Sequence, residues 1–130
     1  MIRIVFAGTM ISALLLQSAV ADIVRRTAFP ETLLGTWGRT AEDCAANDKS
    51  NILIEAAKYG DANGSCAVRW IVETPASGGT NYAVHAFCTS ASLPSKTQIV
   101  NIVIKPQSKD EAVMGRSFAG LRPYQRCPAQ

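Results

Sequence analysis

Three arginines and a tyrosine share the C-terminal segment and are the clearest candidates for binding chemistry. Arg116, Arg122 and Arg126 lie within a short stretch, with Tyr124 between the last two. A guanidinium group beside an aromatic ring can hold a carboxylate or a phosphate through two parallel hydrogen bonds. The segment therefore predicts an anion-binding patch. The alternative is that these are ordinary solvated surface side chains.

A loop rich in small residues is the second candidate. It is the stretch PASGGTNY, and its candidate contacts are Ser77, Gly78 and Tyr82. The stretch resembles the Ser-Gly…Tyr element of periplasmic lysozyme inhibitors. Its spacing differs from that element by one residue, so no residue roles are carried over. Because small side chains can enter a narrow cleft, the loop favours recognition of a protein partner.

His85 is the single histidine of the chain and the first residue to consider for catalysis. A nucleophile needs an activating base and a third group that orients the base. No serine lies in the G-x-S-x-G turn of hydrolases, and the loop acids Asp43, Asp48 and Asp61 are not spaced like a calcium loop. We therefore predict a protein without catalytic activity and without a cofactor.

The cysteines indicate a covalent framework and not a metal site. The chain has four of them, at Cys44, Cys66, Cys88 and Cys127. Zinc ligands usually come in close pairs such as C-x-x-C, and these cysteines are far apart in sequence. An even number in a small exported domain is typical of disulfides. We expect two disulfides and no metal.

Short runs of alternating apolar and polar residues follow one another along the chain. They are NILIEAA, CAVRWIVE, YAVHAFC and QIVNIVIK, then the weaker AVMGRSF and RPYQRC, and GTWGRT suits a first strand. Asn63-Gly64 is a strong signal for a two-residue hairpin turn. Several short strands at this spacing predict an all-β fold, an antiparallel meander that closes as a barrel or stacks as a sandwich.

The meander predicts which cysteines pair. Alternation in CAVRWIVE gives one face to four residues: Cys66, Val68, Trp70 and Val72. Cys66 begins one strand and Cys88 ends the next, so both lie at the same end of a hairpin and on the same face. Cys44 follows the first strand at the opposite end, which Cys127 reaches if the final strand runs back. We therefore expect Cys66–Cys88 and Cys44–Cys127.

The N-terminal segment is typical of a secretory signal peptide. Arg3 gives a positive start, IVFAGTMISALLL is apolar, and Ala19 and Ala21 form an A-x-A cleavage site. The apolar run is shorter than the roughly 20 residues of a membrane-spanning helix. We predict a signal peptide over residues 1–21 and one β domain over residues 22–130. The mature protein is then periplasmic or secreted, without a stable membrane anchor.

The charge balance bears on the partner. The 130 residues include 13 Lys and Arg and 10 Asp and Glu, a formal net charge of +3. Proteins that bind nucleic acid usually carry a much stronger basic excess. We therefore expect a small ligand or a protein as the partner, and no nucleic acid.

The motif Gly35-Thr36-Trp37 resembles the G-x-W that opens lipocalins and avidin-like barrels. This resemblance implies that Trp37 plugs the closed end of a barrel, and glycine on either side lets another segment approach closely. The order of tryptophan, DC, two spaced cysteines and a terminal RCP is similar to small exported disulfide-containing proteins of Gram-negative bacteria, which carry no assigned activity. The function expected from the sequence is that of an exported binding module. The alternative is an inhibitor of a periplasmic protease or lysozyme that acts through an exposed loop.

Overall fold

The computed structural model describes residues 24–77 and 79–129, so the predicted signal peptide and the candidate contact Gly78 lie outside the described residues. Within the described part, nine strands form: β1 (Val24–Arg26), β2 (Gly35–Gly38), β3 (Ile52–Glu55), β4 (Lys58–Asp61), β5 (Gly64–Ala76), β6 (Gly79–Ser90), β7 (Thr97–Pro106), β8 (Glu111–Gly115) and β9 (Arg122–Arg126). A 3-10 turn, Glu31–Leu33, and a short helix α1, Ala41–Ala46, complete the described elements. Neither helical segment has the length and apolar character that a bilayer-spanning helix needs.

Strands β2 to β9 form a closed antiparallel barrel. Each pairs with the next along the chain, and β9 returns to pair with β2, where Trp37 lies opposite Arg126. The additional strand β1 pairs with the second half of β5, from Ile71 to Glu73. The predicted all-β meander is confirmed, and of the two architectures left open the barrel is the one that forms.

The two ends of the barrel carry different connections. At what we call the basal end lie the 3-10 turn, the start of β2 and the β3–β4, β5–β6 and β7–β8 hairpins. At the upper end lie α1, the β4–β5 turn, the β6–β7 loop and the β8–β9 loop. This division follows from the antiparallel order, because successive connections alternate between the ends.

Side chains fill the barrel interior. The largest fully buried residues are Trp37, Ile52, Ile54, Cys66, Tyr59, Ile71, Val84, Ile102, Ile104 and Met114. An eight-stranded barrel is just wide enough for such residues to close its centre. Burial of each large apolar side chain stabilises the fold by about 1.5–3 kcal/mol.

Trp37 is buried in β2, beside the 3-10 turn. Its side chain is 1% exposed, and its indole N–H donates to the Leu33 carbonyl at 3.1 Å. The glycine after it is needed for packing, because a Cβ on Gly38 would lie 2.6 Å from the Cys44 sulfur. The tryptophan therefore ties the 3-10 turn to the barrel while its flanking glycine admits the helix.

Both predicted disulfides are confirmed. The expected placement of Cys44 at the opposite end from Cys66 is wrong, because the unpredicted strand β4 makes β5 begin at the same end of the barrel at which β2 ends. Cys66 lies opposite Cys88 in the β5–β6 ladder, with their Cα atoms 3.9 Å apart. Cys44 in α1 joins Cys127, which follows β9, with a Cα separation of 5.3 Å. The first bridge crosslinks one hairpin inside the core, and the second holds α1 against the seam between β2 and β9.

The predicted inner face of β5 is wrong in its second half. The β5–β6 register shifts at Arg69, which is an extra residue, a β-bulge. A bulge moves every later side chain to the opposite face. Cys66 therefore points inward as predicted, Ile71 is fully buried, and Trp70 and Val72 lie outside.

The turn before β5 also differs from the prediction. Its two loop residues are Ala62 and Asn63, because Gly64 already pairs with Asp61 as the first residue of β5. The Asp61 carboxylate accepts a hydrogen bond from the Asn63 backbone N–H at 2.9 Å. Gly64 has φ +139, and a Cβ there would overlap the Thr89 carbonyl, so glycine is required both by the backbone conformation and by the close packing.

The short helix α1 is an element that the sequence pattern did not predict. The Thr40 hydroxyl caps it by accepting a hydrogen bond from the Asp43 backbone N–H at 3.1 Å. Asn47 ends it in the left-handed conformation, with φ 50. These caps place Cys44 where it can reach Cys127.

Candidate functional site

Arg116, the first of the three candidate arginines, is paired within the chain. Its Nε and Nη2 donate to the two carboxylate oxygens of Asp61, both at 2.8 Å. The side chains are only 22% and 12% exposed. This bidentate pair joins the β8–β9 loop to the end of β4 and uses the donors that an external anion would need.

Arg126 is engaged even more fully, at the basal end. Its guanidinium donates to the carbonyls of Leu34 at 2.7 Å and Lys109 at 3.3 Å, and also to the carbonyl of Thr32. Its Nε lies 3.4 Å from a carboxylate oxygen of Asp110. Arg126 therefore links the 3-10 turn, β9 and the β7–β8 hairpin.

Arg122 and Tyr124 make local contacts. Arg122 donates to the carbonyls of Ala119 and Leu121 in its own loop, at 3.3 and 2.8 Å. The ring of Tyr124 is half-buried, with the Arg39 guanidinium 5.6 Å from its centroid. Burial raises the pKa of the Tyr124 hydroxyl, and the nearby Arg39 cation opposes this shift.

The structure does not bring the three arginines into one patch. β8 and β9 are paired antiparallel, with Met114 opposite Arg122. Arg116 lies past the upper end of this ladder, whereas Arg126 lies at its basal end. The predicted anion-binding cluster is thus divided between the two ends of the barrel, and most of its donors bind carbonyls or a carboxylate of the chain itself.

The predicted loop is the end of a long β-hairpin. β5 and β6 pair as far as Ala76 opposite Gly79. β7 pairs with β6 only from Tyr82, and the described part of β1, which begins at Val24, pairs with β5 up to Glu73. Residues 74–77 and 79–81, which we call the hairpin tip, therefore extend past β7 and past the described part of β1 at the basal end.

Ser77 and Tyr82, the described candidates of this loop, have different environments. Ser77 is exposed at the turn of the hairpin tip. Tyr82 points into the barrel, is 9% exposed, and has a raised pKa because of burial and the neighbouring Glu73 carboxylate. Of these two candidates, Ser77 is exposed to a partner on the tip, and Tyr82 belongs to the core beneath it.

A pocket of about 510 Å³ opens at the basal end, and we call it the basal pocket. Its floor is apolar and consists of the buried Leu33, Trp37 and Tyr82 with Pro106. Its polar lining is Glu31, Thr32, Thr80, Ser108, Lys109 and Arg126. The volume lies within the range of small-ligand sites, and the combination of an apolar floor with polar edges is typical of them.

The upper end has a smaller and more polar pocket of about 330 Å³. Tyr59, Tyr124 and the Asp61–Arg116 pair are among its lining residues. The filled core separates this pocket from the basal pocket. Among the described residues, these two pockets thus lie at opposite ends of the barrel, with packed core side chains between them.

Comparison with protein-family models, with curated proteins and with solved structures finds no match for this chain. The geometry of the molecule is therefore the basis for any statement about function.

His85 and the cysteines can be placed against the chemistry considered for them. His85 lies on the outside of β6, its ring centroid 4.6 Å from that of Trp70. All four cysteines are in disulfides. Among residues 24–77 and 79–129, no group of three His, Cys, Asp or Glu side chains is placed to bind a metal ion.

Several residues of the basal pocket were not predicted from the sequence. Glu31, Thr80 and Lys109 lie far apart in the chain and meet only through the barrel. The one usable signal was Pro30 before Glu31, which suits the helical turn that forms there. No pattern in the sequence indicated which polar residues would line the edges of the basal pocket.

Proposed function

We propose that the protein is an exported binding module without catalytic activity, and that it engages a protein partner through the hairpin tip. The observation that supports this most directly is the extension of the hairpin tip beyond β7 and beyond the described part of β1. The pairing of β5 with β6 continues from the barrel into the tip. The partner therefore meets a paired element that protrudes from a barrel with a filled core.

The chemistry of the hairpin tip suits insertion into a cleft. Thr74, Pro75, Ala76 and Ser77 are exposed, small and uncharged. The backbone of Thr74, Pro75 and Ala76 is already paired with β6, which lowers the conformational entropy that binding costs. Pro75 lacks a backbone N–H, which disfavours addition of a further strand to this edge. A narrow cleft, such as the active-site cleft of a hydrolase, matches these properties.

A small ligand in the basal pocket is a second candidate function. The pocket volume of about 510 Å³ and its apolar floor favour it. Thr80 lies both on the hairpin tip and at the edge of this pocket. Experiments must therefore separate the two candidates with substitutions that affect only one of them.

Affinity capture with matched variants tests the role of the hairpin tip. The disulfide-intact mature protein is immobilised and exposed to the periplasmic and secreted proteins of its source organism. Ser77→Arg places a bulky cation at the tip, and Ser95→Arg makes the same change at an exposed serine of the upper end. We expect a partner that the wild type and Ser95→Arg retain and Ser77→Arg loses. Equal retention by all three proteins would contradict the proposal.

Inhibition assays test the cleft that the tip is proposed to enter. The three proteins are titrated against lysozyme and against serine and metalloproteases. Inhibition that is lost only in Ser77→Arg supports a hydrolase partner. For the second candidate, native mass spectrometry of the exported protein should show a bound small molecule that disappears in Ser108→Trp, because the indole fills the basal pocket.

A further inference from the structure

One side of the barrel exterior combines aromatic and cationic side chains. It consists of the outward residues of β5, β6 and β7 together with Arg25 of β1 and Phe118 of the β8–β9 loop, and we call it the outer face. Cross-strand pairs fix its layout: Trp70 lies opposite His85, and Phe87 lies opposite Ile99. The bulge at Arg69 is what turns Trp70 onto this side.

Three aromatic rings on the outer face each carry a cation of the same chain. The guanidinium carbon of Arg69 is 4.6 Å from the ring centroid of Phe87, and that of Arg25 is 5.9 Å from the ring of Trp70. Lys105 follows the buried Ile104 and points outward, with its ammonium 5.4 Å from the ring of Phe118 in the β8–β9 loop. These contacts hold the cations against the face while leaving their outer sides in water.

The charge of the outer face has one sign. Its described outward positions include Arg25, Arg69 and Lys105, and none of them is Asp or Glu. Glu73, the one acid within β5, points inward and pairs with Arg26. Since the acids of the chain nearly balance its bases overall, this segregation marks the face as complementary to a negatively charged partner.

Two large apolar side chains project from the same region. Ile99 is 75% exposed and Phe118 is 74% exposed. They are the two most exposed large apolar residues of the described chain. Their exposure beside the cations makes the outer face amphipathic, with apolar projections and positive charge together.

We propose that the outer face docks on the surface of an anionic phospholipid bilayer. Aromatic and basic side chains together suit the bilayer interface, where rings enter the headgroup region and cations meet the phosphates. The outside of a closed barrel is convex, so a rigid protein partner would need a matching hollow, whereas headgroups yield around projecting side chains. This docking is independent of the role proposed for the hairpin tip.

Vesicle co-sedimentation of the mature, disulfide-intact protein tests the docking. The probes are phosphatidylcholine vesicles with and without phosphatidylglycerol, at low and at physiological salt. We expect binding that requires phosphatidylglycerol and weakens with salt. Arg69→Gln and Arg25→Gln should each lower the partition coefficient about 5-fold, since each cation contributes about 1 kcal/mol near such a surface. Ile99→Ser and Phe118→Ser should each lower it about tenfold.

Matched substitutions on other surfaces serve as controls. Leu53→Ser changes an apolar residue of β3 whose side chain faces outward and is 46% exposed. Lys49→Gln removes an exposed cation after α1. Both should bind like the wild type, as should Ser77→Arg. Equal binding to both kinds of vesicle, or equal loss in the controls and the outer-face variants, would overturn the proposal. So would binding to immobilised poly-L-glutamate without binding to vesicles, which would point to an acidic protein instead.

Discussion

The guanidinium carbon of Arg126 lies 4.4 Å from the ring centroid of Trp37. The two residues are also cross-strand partners where β9 meets β2, the seam that closes the barrel. Trp37 donates to Leu33, and Arg126 donates to the carbonyls of Leu34 and Thr32. One stacked pair therefore holds both the seam and the 3-10 turn beside it.

Replacing Trp37 by alanine should lower the free energy of unfolding by about 3–5 kcal/mol, as removal of a buried aromatic side chain does. The change leaves a cavity at the seam and frees the Leu33 carbonyl. Urea unfolding of the mature protein measures the effect. Trp37→Phe keeps a ring in place and should cost less, which provides a measurement if the alanine variant fails to fold.

Trp70→Ala is the matched control, because Trp70 lies outside the barrel beside His85. It should lower the free energy of unfolding by less than Trp37→Ala does. A similar loss in both variants would show that the buried Trp37 ring contributes no more to the free energy of unfolding than an exterior ring does.

Replacing Arg126 by methionine should destabilise the protein by about 2 kcal/mol or more. Methionine keeps much of the packing volume but loses the charged hydrogen bonds to the 3-10 turn and the β7–β8 hairpin. The measurement is again urea unfolding. This expectation differs from the sequence-based one, in which Arg126 is available to a partner.

Arg122→Met provides the comparison. Its donors bind only the carbonyls of its own exposed loop, so the change should stay within about 0.5 kcal/mol. If Arg122→Met and Arg126→Met had the same small effect, Arg126 would not be a structural link between elements.

Seven of the nine described strands could be predicted because most apolar positions alternate, whereas β1, β4 and the bulge in β5 could not. Trp70 and Val72 are apolar although they lie outside, so CAVRWIVE continues its pattern straight through Arg69. Only the partner strand reveals the shift, when Trp70 pairs with His85. The helix α1 was missed because, with only 6 residues, it is too short to display a helical period.

The candidate site was harder to predict because a residue type does not indicate which groups its side chain will contact in the folded chain. From the sequence, Arg126 is expected to be a cation available to a partner. In the barrel, the hydrogen-bond acceptors of its guanidinium are the carbonyls of Leu34 and Lys109, which are distant in the sequence. Ser77 was found through composition alone. The extension of the hairpin tip beyond β7 depends on where β7 stops pairing with β6, which is a property of register and not of local sequence.

The two disulfides should contribute unequally to stability. Cys44–Cys127 closes a loop of 83 residues and Cys66–Cys88 one of 22. On the chain-entropy description they restrict the unfolded chain by about 4.5 and about 3 kcal/mol respectively. The double variant Cys44→Ala/Cys127→Ala should therefore unfold at lower urea than Cys66→Ala/Cys88→Ala, with the wild type above both.

Non-reducing peptide mapping supplies the control for the disulfide variants. Each double variant should retain the other bridge unchanged. Lower stability of Cys66→Ala/Cys88→Ala than of its counterpart would mean that packing of the buried sulfur atoms outweighs the restriction of the longer loop.

Stability should fall at alkaline pH because all three tyrosines keep their protons more strongly in the fold. Burial, followed by the neighbouring Asp61 carboxylate, raises the pKa of Tyr59, and burial also raises the pKa of Tyr82 and of Tyr124. In the unfolded chain these hydroxyls ionise near pH 10. Their contribution is therefore complete below about pH 10 and is lost as the pH rises toward the folded pKa values.

Tyr59→Phe tests this alkaline dependence. Above about pH 10, each raised tyrosine steepens the loss of unfolding free energy by up to about 1.4 kcal/mol per pH unit. Urea unfolding at several alkaline pH values should show a shallower decline in Tyr59→Phe than in the wild type. Tyr82→Phe should change the decline less, because Tyr82 is less deeply buried than Tyr59, 9% exposed against 1%. The tyrosinate absorbance that the wild type shows in excess of Tyr59→Phe should rise only where the protein unfolds. Early ionisation of Tyr59 in the folded protein, or an unchanged decline in Tyr59→Phe, would show that its hydroxyl is not held in a water-poor core.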